Sequence, residues 1–202
     1  MFSKSIIYNF IKIGIQTWLK SICTSIDIRS LKLIVNKKCF GKLDEVYLEA
    51  KNIIFQGLYI NKLSIKIYDC NFKFNYRNHL IYSEDLILNS LLTFDNRSLE
   101  NTFFSKECEN LRIKIQKALT DGKTVSNLII NNDLITFSYD MNKLNKEVIL
   151  LINLKENLIL LEDINNKKKI CLPLDKNIKF NSFNIKNELI NIDLSSKVIF
   201  DN

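Results

Sequence analysis

The stretch that most restricts this chain is EVYLEAKNIIFQGLYINKLSIKIYDCNFKF, residues 45–74. Apolar and polar side chains alternate along almost all of it, the period of an extended strand whose successive side chains point to opposite faces. Val46, Leu48 and Ala50 share one face, and Tyr47, Glu49 and Lys51 the other. After Gly57, Leu63, Ile65 and Ile67 alternate with Ser64, Lys66 and Tyr68. Beyond Asp69 the phase shifts, so that Cys70, Phe72 and Phe74 become the apolar set, as a β-bulge or a sharp twist would make them. The chain has four glycines and one proline, so a glycine between two such runs marks the turn or bulge that folds one strand back on the other. The expectation is a long antiparallel pair.

The flanking segments change period. Residues 2–23 place Phe2, Ile6, Phe10, Trp18 and Ile22 near helical spacing, with Ile7, Ile13, Ile15 and Leu19 widening the stripe. This amphipathic helix either packs on the domain's own sheet or lies on a membrane, with Trp18, Lys4, Lys12 and Lys20 at the headgroups. Asn9, Lys12 and Gln16 interrupt its apolar run and no small-x-small cleavage site follows, so an uncleaved helix is expected. IDIRSLKLIV then reads as a first strand, and NKKCFGKLDE as a turn-rich break around Gly41.

Residues 96–120 return to helical spacing. Asp95 is the expected N-cap, Leu99, Phe103 and Phe104 form a first apolar face, and Leu111, Ile115, Ala118 and Leu119 continue it to a cap at Gly122. Ser105, followed by Glu107, predicts two helices meeting there or one kinked helix. The remainder is strand after strand. INNDLITF, LKENLILL and IKNELINI each set Asn beside an acidic or polar residue ahead of Leu-Ile. Asn and Asp tolerate positive φ, so these are hairpin turns of an antiparallel meander. VILLINL and NLILLE are apolar on both faces, so the hairpin is either covered on both sides or lines an apolar groove with one of them.

At 202 residues the chain supports one sizeable core. The division expected is a helix over 1–24 and a single α+β domain over 25–202. The net charge of +7 comes chiefly from lysine, with Arg29, Arg77, Arg97 and Arg112 the only arginines. That scarcity argues against nucleic acid, because arginine makes the bidentate phosphate and base contacts. Cys23, Cys39, Cys70, Cys108 and Cys171 show no CxxC spacing and no histidine partner, which excludes the usual zinc patterns and a disulfide framework. Free thiols favour a reducing, cytoplasmic side. His79 is the only histidine and has no nominated partner, and Glu84, Asp85, Glu156, Glu162 and Asp163 sit in turns or on polar faces. Neither a catalytic centre, nor a metal site, nor a cofactor is expected.

The order of parts resembles the LmeA-like family of bacterial phospholipid-binding proteins, known largely as a cyanobacterial domain of unknown function. The similarity runs over roughly residues 5–200. It is carried by Ala50-Lys51-Asn52 through Gln56-Gly57-Leu58, by the Asn96-x-Ser98-Leu99 helix opening after Leu92-Thr93, and by Leu174-Asp175 ahead of Ile178. The resemblance implies an architecture related to the BPI-like (TULIP) class, a strongly twisted antiparallel sheet wrapping a central helix. It also implies a non-catalytic phospholipid-binding protein at a membrane surface or cell envelope, with acyl chains in an apolar groove between sheet and helix. Phe103, Leu111, Ile115, Leu150 and Ile152 are the residues expected to line it. The alternative is a structural or adaptor protein whose apolar core is filled by its own side chains.

Overall fold

The computed structural model describes residues 4–36, 42–75, 80–83, 86–141, 144–155 and 158–198. Gly41, Cys39, Arg77, His79, Glu84, Asp85 and the Glu156-Asn157 turn, on which expectations were placed, lie outside them, as do Phe2 and the side chains of Ile6, Ile7, Phe10, Phe72 and Phe74.

The fold is α+β with antiparallel sheets. Helix α1 (Lys4–Ile22) precedes β1 (Ser25–Val35), β2 (Lys42–Phe55), β3 (Leu58–Asn75), β4 (Leu80–Ser83) and β5 (Leu86–Phe94). Two short helices follow, α2 (Asn96–Phe104) and α3 (Glu109–Leu119). Then come β6 (Val125–Asn131), β7 (Leu134–Met141), β8 (Leu144–Lys155), β9 (Leu158–Asp163), β10 (Lys169–Pro173), β11 (Ile178–Lys186) and β12 (Leu189–Val198). The first sheet runs β1-β2-β3-β5-β12-β11, with β4 paired to β3, and the second is the meander β10-β9-β8-β7-β6.

Gly57 does turn the chain. Phe55 pairs with Leu58, and the two residues between them, Gln56 and Gly57, both have positive φ (46° and 77°). This geometry matches the right-handed twist of the strands it joins. Asn132-Asp133 and Asn187-Glu188 repeat it at β6–β7 and β11–β12, as the Asn-acidic pattern predicts. The phase slip expected beyond Asp69 is also present, for Asp69 has φ 53° and Ile67 and Cys70 then share the inward face. A second slip at Asn52 (φ 50°) puts Ala50 and Ile53 both inward and coincides with a register shift against β1.

Two features depart from the sequence expectation. The last hairpin leaves the meander, and β12 pairs with β5 to extend the first sheet. A turn signal specifies a hairpin but is silent about its long-range partner. The β8–β9 hairpin, apolar on both faces, is covered on one side only. Val148 and Leu150 are buried inward, whereas Leu151 on the outward face is exposed beside Glu162 of β9.

The helical segment holds the sheets together. Asp95 caps α2 with a reciprocal box, its carboxylate accepting from the Ser98 amide while the Ser98 hydroxyl accepts from the Asp95 amide. Asn96 then pairs with the Ile130 backbone of β6, accepting from its amide at 2.5 Å and donating to its carbonyl at 3.3 Å. On the other side the Thr102 hydroxyl accepts from the Tyr59 amide of β3 at 2.8 Å. Phe103 stacks on Phe137 of β7, ring centroids 5.0 Å apart. The chain breaks at Ser105, which accepts from the Cys108 amide, and Arg112 closes the break by donating to the Phe103 and Ser105 carbonyls.

Candidate functional site

The inward face of the first sheet is apolar over β1–β3 and broken by one serine in each of two rows farther across. One cross-strand row runs Leu31, Leu48, Ile65, Ser90, Leu194, Phe180, and the next runs Leu33, Val46, Ile67, Leu88, Ser196, Ile178. Two separate clusters lie against parts of this face. The larger joins Ala50, Ile53, Ile60, Phe94 and Ile190 to α2, α3 and the inward face of the second sheet. The smaller consists of Leu31, Leu33, Leu43, Val46, Leu48 and Cys70, and α1 covers it with Tyr8, Ile11, Ile15 and Leu19.

Those four helix residues recur at intervals of three and four, the spacing of one face. Ile15 and Leu19 of the expected stripe are among them, whereas Trp18 and Ile22 remain in solvent. Trp18 is 60% exposed and Ile13 58%, with Gly14, Thr17, Lys20 and Ser21 exposed beside them. Period alone could not separate the two faces, because α1 is apolar over more than half its circumference.

Of the residues expected to line a groove, the structure brings Phe103 (8% exposed), Ile115 (4%) and Leu150 (2%) into the larger cluster, with Ile152 packed against it. Leu111, one turn before Ile115 on the same side of α3, is 39% exposed. The smaller cluster was missed as a site. Its signal was available in the alternation of Leu31 with Leu33 and of Val46 with Leu48, which matches a helix face but sits far from it in the chain.

The opposite, outward face of the same sheet is polar. Tyr47 lies between Lys32 and Lys66, each ammonium 5.9 Å from the ring centroid, a favourable cation–π distance. Glu49 pairs with Lys62 at 2.9 Å; the hydrogen bond and charge of Lys62 hold the Glu49 carboxyl below its ordinary value, and Lys62 is raised in return. On the inward face, burial pushes the Cys70 thiol up, with a smaller push from Asp69. A neutral thiol at that position adds apolar floor, not a nucleophile. Among the described residues no group of three or more His, Cys, Asp or Glu is placed to hold a metal ion, and no helix is long and apolar enough to cross a membrane.

No family model, curated protein or solved structure matches this chain. The site therefore has to be read from its own chemistry.

Proposed function

We propose that the chain is a non-catalytic phospholipid-binding protein acting at a membrane surface, with acyl chains held against the apolar inward face of the first sheet. One observation carries this reading: α1 is docked by one face and presents Trp18 and Ile13 to solvent from the rest of its surface. Indole sits well at a membrane interface, apolar in body and polar at its N–H. The same helix carries Lys12 and Lys20, and the chain has a net charge of +7. Near an anionic surface each lysine contributes about 1 kcal/mol. The resemblance to the LmeA-like family points the same way.

Flotation with vesicles tests the reading. Wild type is expected to float with vesicles containing phosphatidylglycerol, less with pure phosphatidylcholine, and less again at high salt. Trp18 is the only tryptophan, so a blue shift of emission on binding reports this helix alone. Trp18→Ser is expected to weaken binding severalfold while leaving the melting temperature nearly unchanged, because surface substitutions alter stability by about 0.5 kcal/mol or less. A chain that ignores anionic vesicles sinks the proposal.

A second reading has its own support. Phe103, Ile115 and Leu150 belong to a closed cluster filled by the chain's own side chains, which suits a structural or adaptor protein with no lipid ligand. Phospholipid extracted in stoichiometric amount from the purified protein decides against it.

A further inference from the structure

The two clusters under the first sheet are held in different ways. The larger is closed by α2, α3 and a second sheet, and α2 is tied to the strands on both sides by Asn96 and Thr102. The smaller is closed by one helix through Tyr8, Ile11, Ile15 and Leu19. Beneath that helix lies a strip of sheet, Leu31, Leu33, Val46, Leu48, Ile65 and Ile67, which is apolar throughout and spans three adjacent strands. Strands lie about 4.8 Å apart, so a strip three strands wide has the breadth of the helix it receives, and room for an acyl chain once the helix has gone.

The helix also has somewhere else to go. Its solvent-facing surface carries Trp18, Ile13 and Lys20, residue types found on helices that lie in an interface. At a membrane, Tyr8, Ile11, Ile15 and Leu19 could exchange sheet for acyl chain and remain in apolar surroundings. In water they have no such alternative, so the docked state is favoured there. A ligand shifts an equilibrium only by its differential affinity for the two states, and a membrane supplies that difference here.

We infer that α1 is the built-in occupant of the acyl-chain site: docked, it fills the strip on β1–β3, and on an anionic membrane it lifts off and lets a phospholipid chain take its place. This rests on the membrane-lipid reading above and assigns that reading its site and its regulation. The strip on β1–β3, and not the Phe103–Leu150 core, then receives the lipid.

Two measurements on the full chain test it. The first uses vesicles of equal parts phosphatidylcholine and phosphatidylglycerol, doped with a phospholipid bearing a photoreactive group at the end of one acyl chain. Crosslinks in wild type are expected on peptides covering residues 43–48 and 65–67. The second counts phospholipid carried off per protein when the vesicles are removed. Ile15→Ser and Leu19→Ser, which weaken the hold of α1, are expected to carry severalfold more than wild type, while Thr17→Ser, at an exposed position of the same helix, is not. Crosslinks confined to the Trp18 side of α1 overturn the inference while leaving membrane binding intact. So do folded Ile15→Ser and Leu19→Ser proteins that carry no more lipid than wild type. Absence of both crosslinks and flotation overturns the inference and the reading beneath it together.

Discussion

At residue scale, Gly57 combines two demands that can be separated by experiment. Its φ of 77° belongs to the left-handed region, and the tip it forms is pressed against the α2–α3 break. A Cβ there would stand 2.6 Å from Glu107 Oε2, 2.7 Å from Glu107 Cβ and 2.9 Å from Ser105 Oγ. The carboxylate could swing aside, but the Glu107 Cβ is fixed to the backbone. Gly122 has nearly the same φ, 79°, and nothing within 4 Å of the added atom. Gly122→Ala therefore measures backbone strain alone, about 1–2 kcal/mol. Gly57→Ala is expected to lose that amount plus about 1–3 kcal/mol for the collision. Urea denaturation of the two variants side by side checks the difference; equal losses would mean that the hairpin tip does not seat against the α2–α3 break.

At the scale of elements, α2 depends on its cap. Burial opposes the charge of Asp95, but the Ser98 amide, the Asn61 side chain and the Ser98 hydroxyl together outweigh it and hold the carboxyl below its ordinary value. A carboxyl lowered on folding stabilises the fold above its unfolded-state pKa, and that contribution disappears as pH falls through the lower folded-state value. Asp95→Ala is expected to cost about 0.5–2 kcal/mol at neutral pH, with the gap from wild type closing on acidification below the ordinary carboxylate range. A gap that stays constant with pH, followed by thermal melts, would show that the carboxylate's charge plays no part. This cap was legible in the sequence, as were the two-residue turns and the helix break at Ser105, because each is a local signal. Pairings between distant segments were not. Neither the capture of Ile130 by Asn96, nor that of Tyr59 by Thr102, nor the return of β12 to β5 leaves a trace in nearby residues. The candidate site shows the same division. Phe103, Ile115, Leu150 and Ile152 lie on apolar faces marked by the period of the sequence and share one cluster, but amphipathic spacing does not say whether a meeting place is packed or open.

At the scale of the whole molecule, the two clusters predict two stabilities. Both sheets contribute side chains to the larger cluster, so they should unfold as one unit despite being separate ladders. Among its described side chains, helix α1 shares none with that unit and rests on the smaller cluster, joined to the rest through Cys23 and the Thr24 amide, which donates to the Ile54 carbonyl at 2.8 Å. Regions held by few buried contacts open at free energies below the global one. Native-state hydrogen exchange is therefore expected to find the amides of α1 exchanging by a low-energy opening with weak denaturant dependence. Those of β7 and β8 should exchange only through global unfolding. Leu150→Ala, cutting into the shared core, should lower the global value by about 2–5 kcal/mol and leave the opening of α1 in place. Ile15→Ser should do the reverse, speeding exchange in α1 while β7 and β8 change little. Identical exchange free energies in α1 and the β7–β8 core would mean that the helix is an integral part of a single core, and such a helix could not lift from the sheet without unfolding the protein.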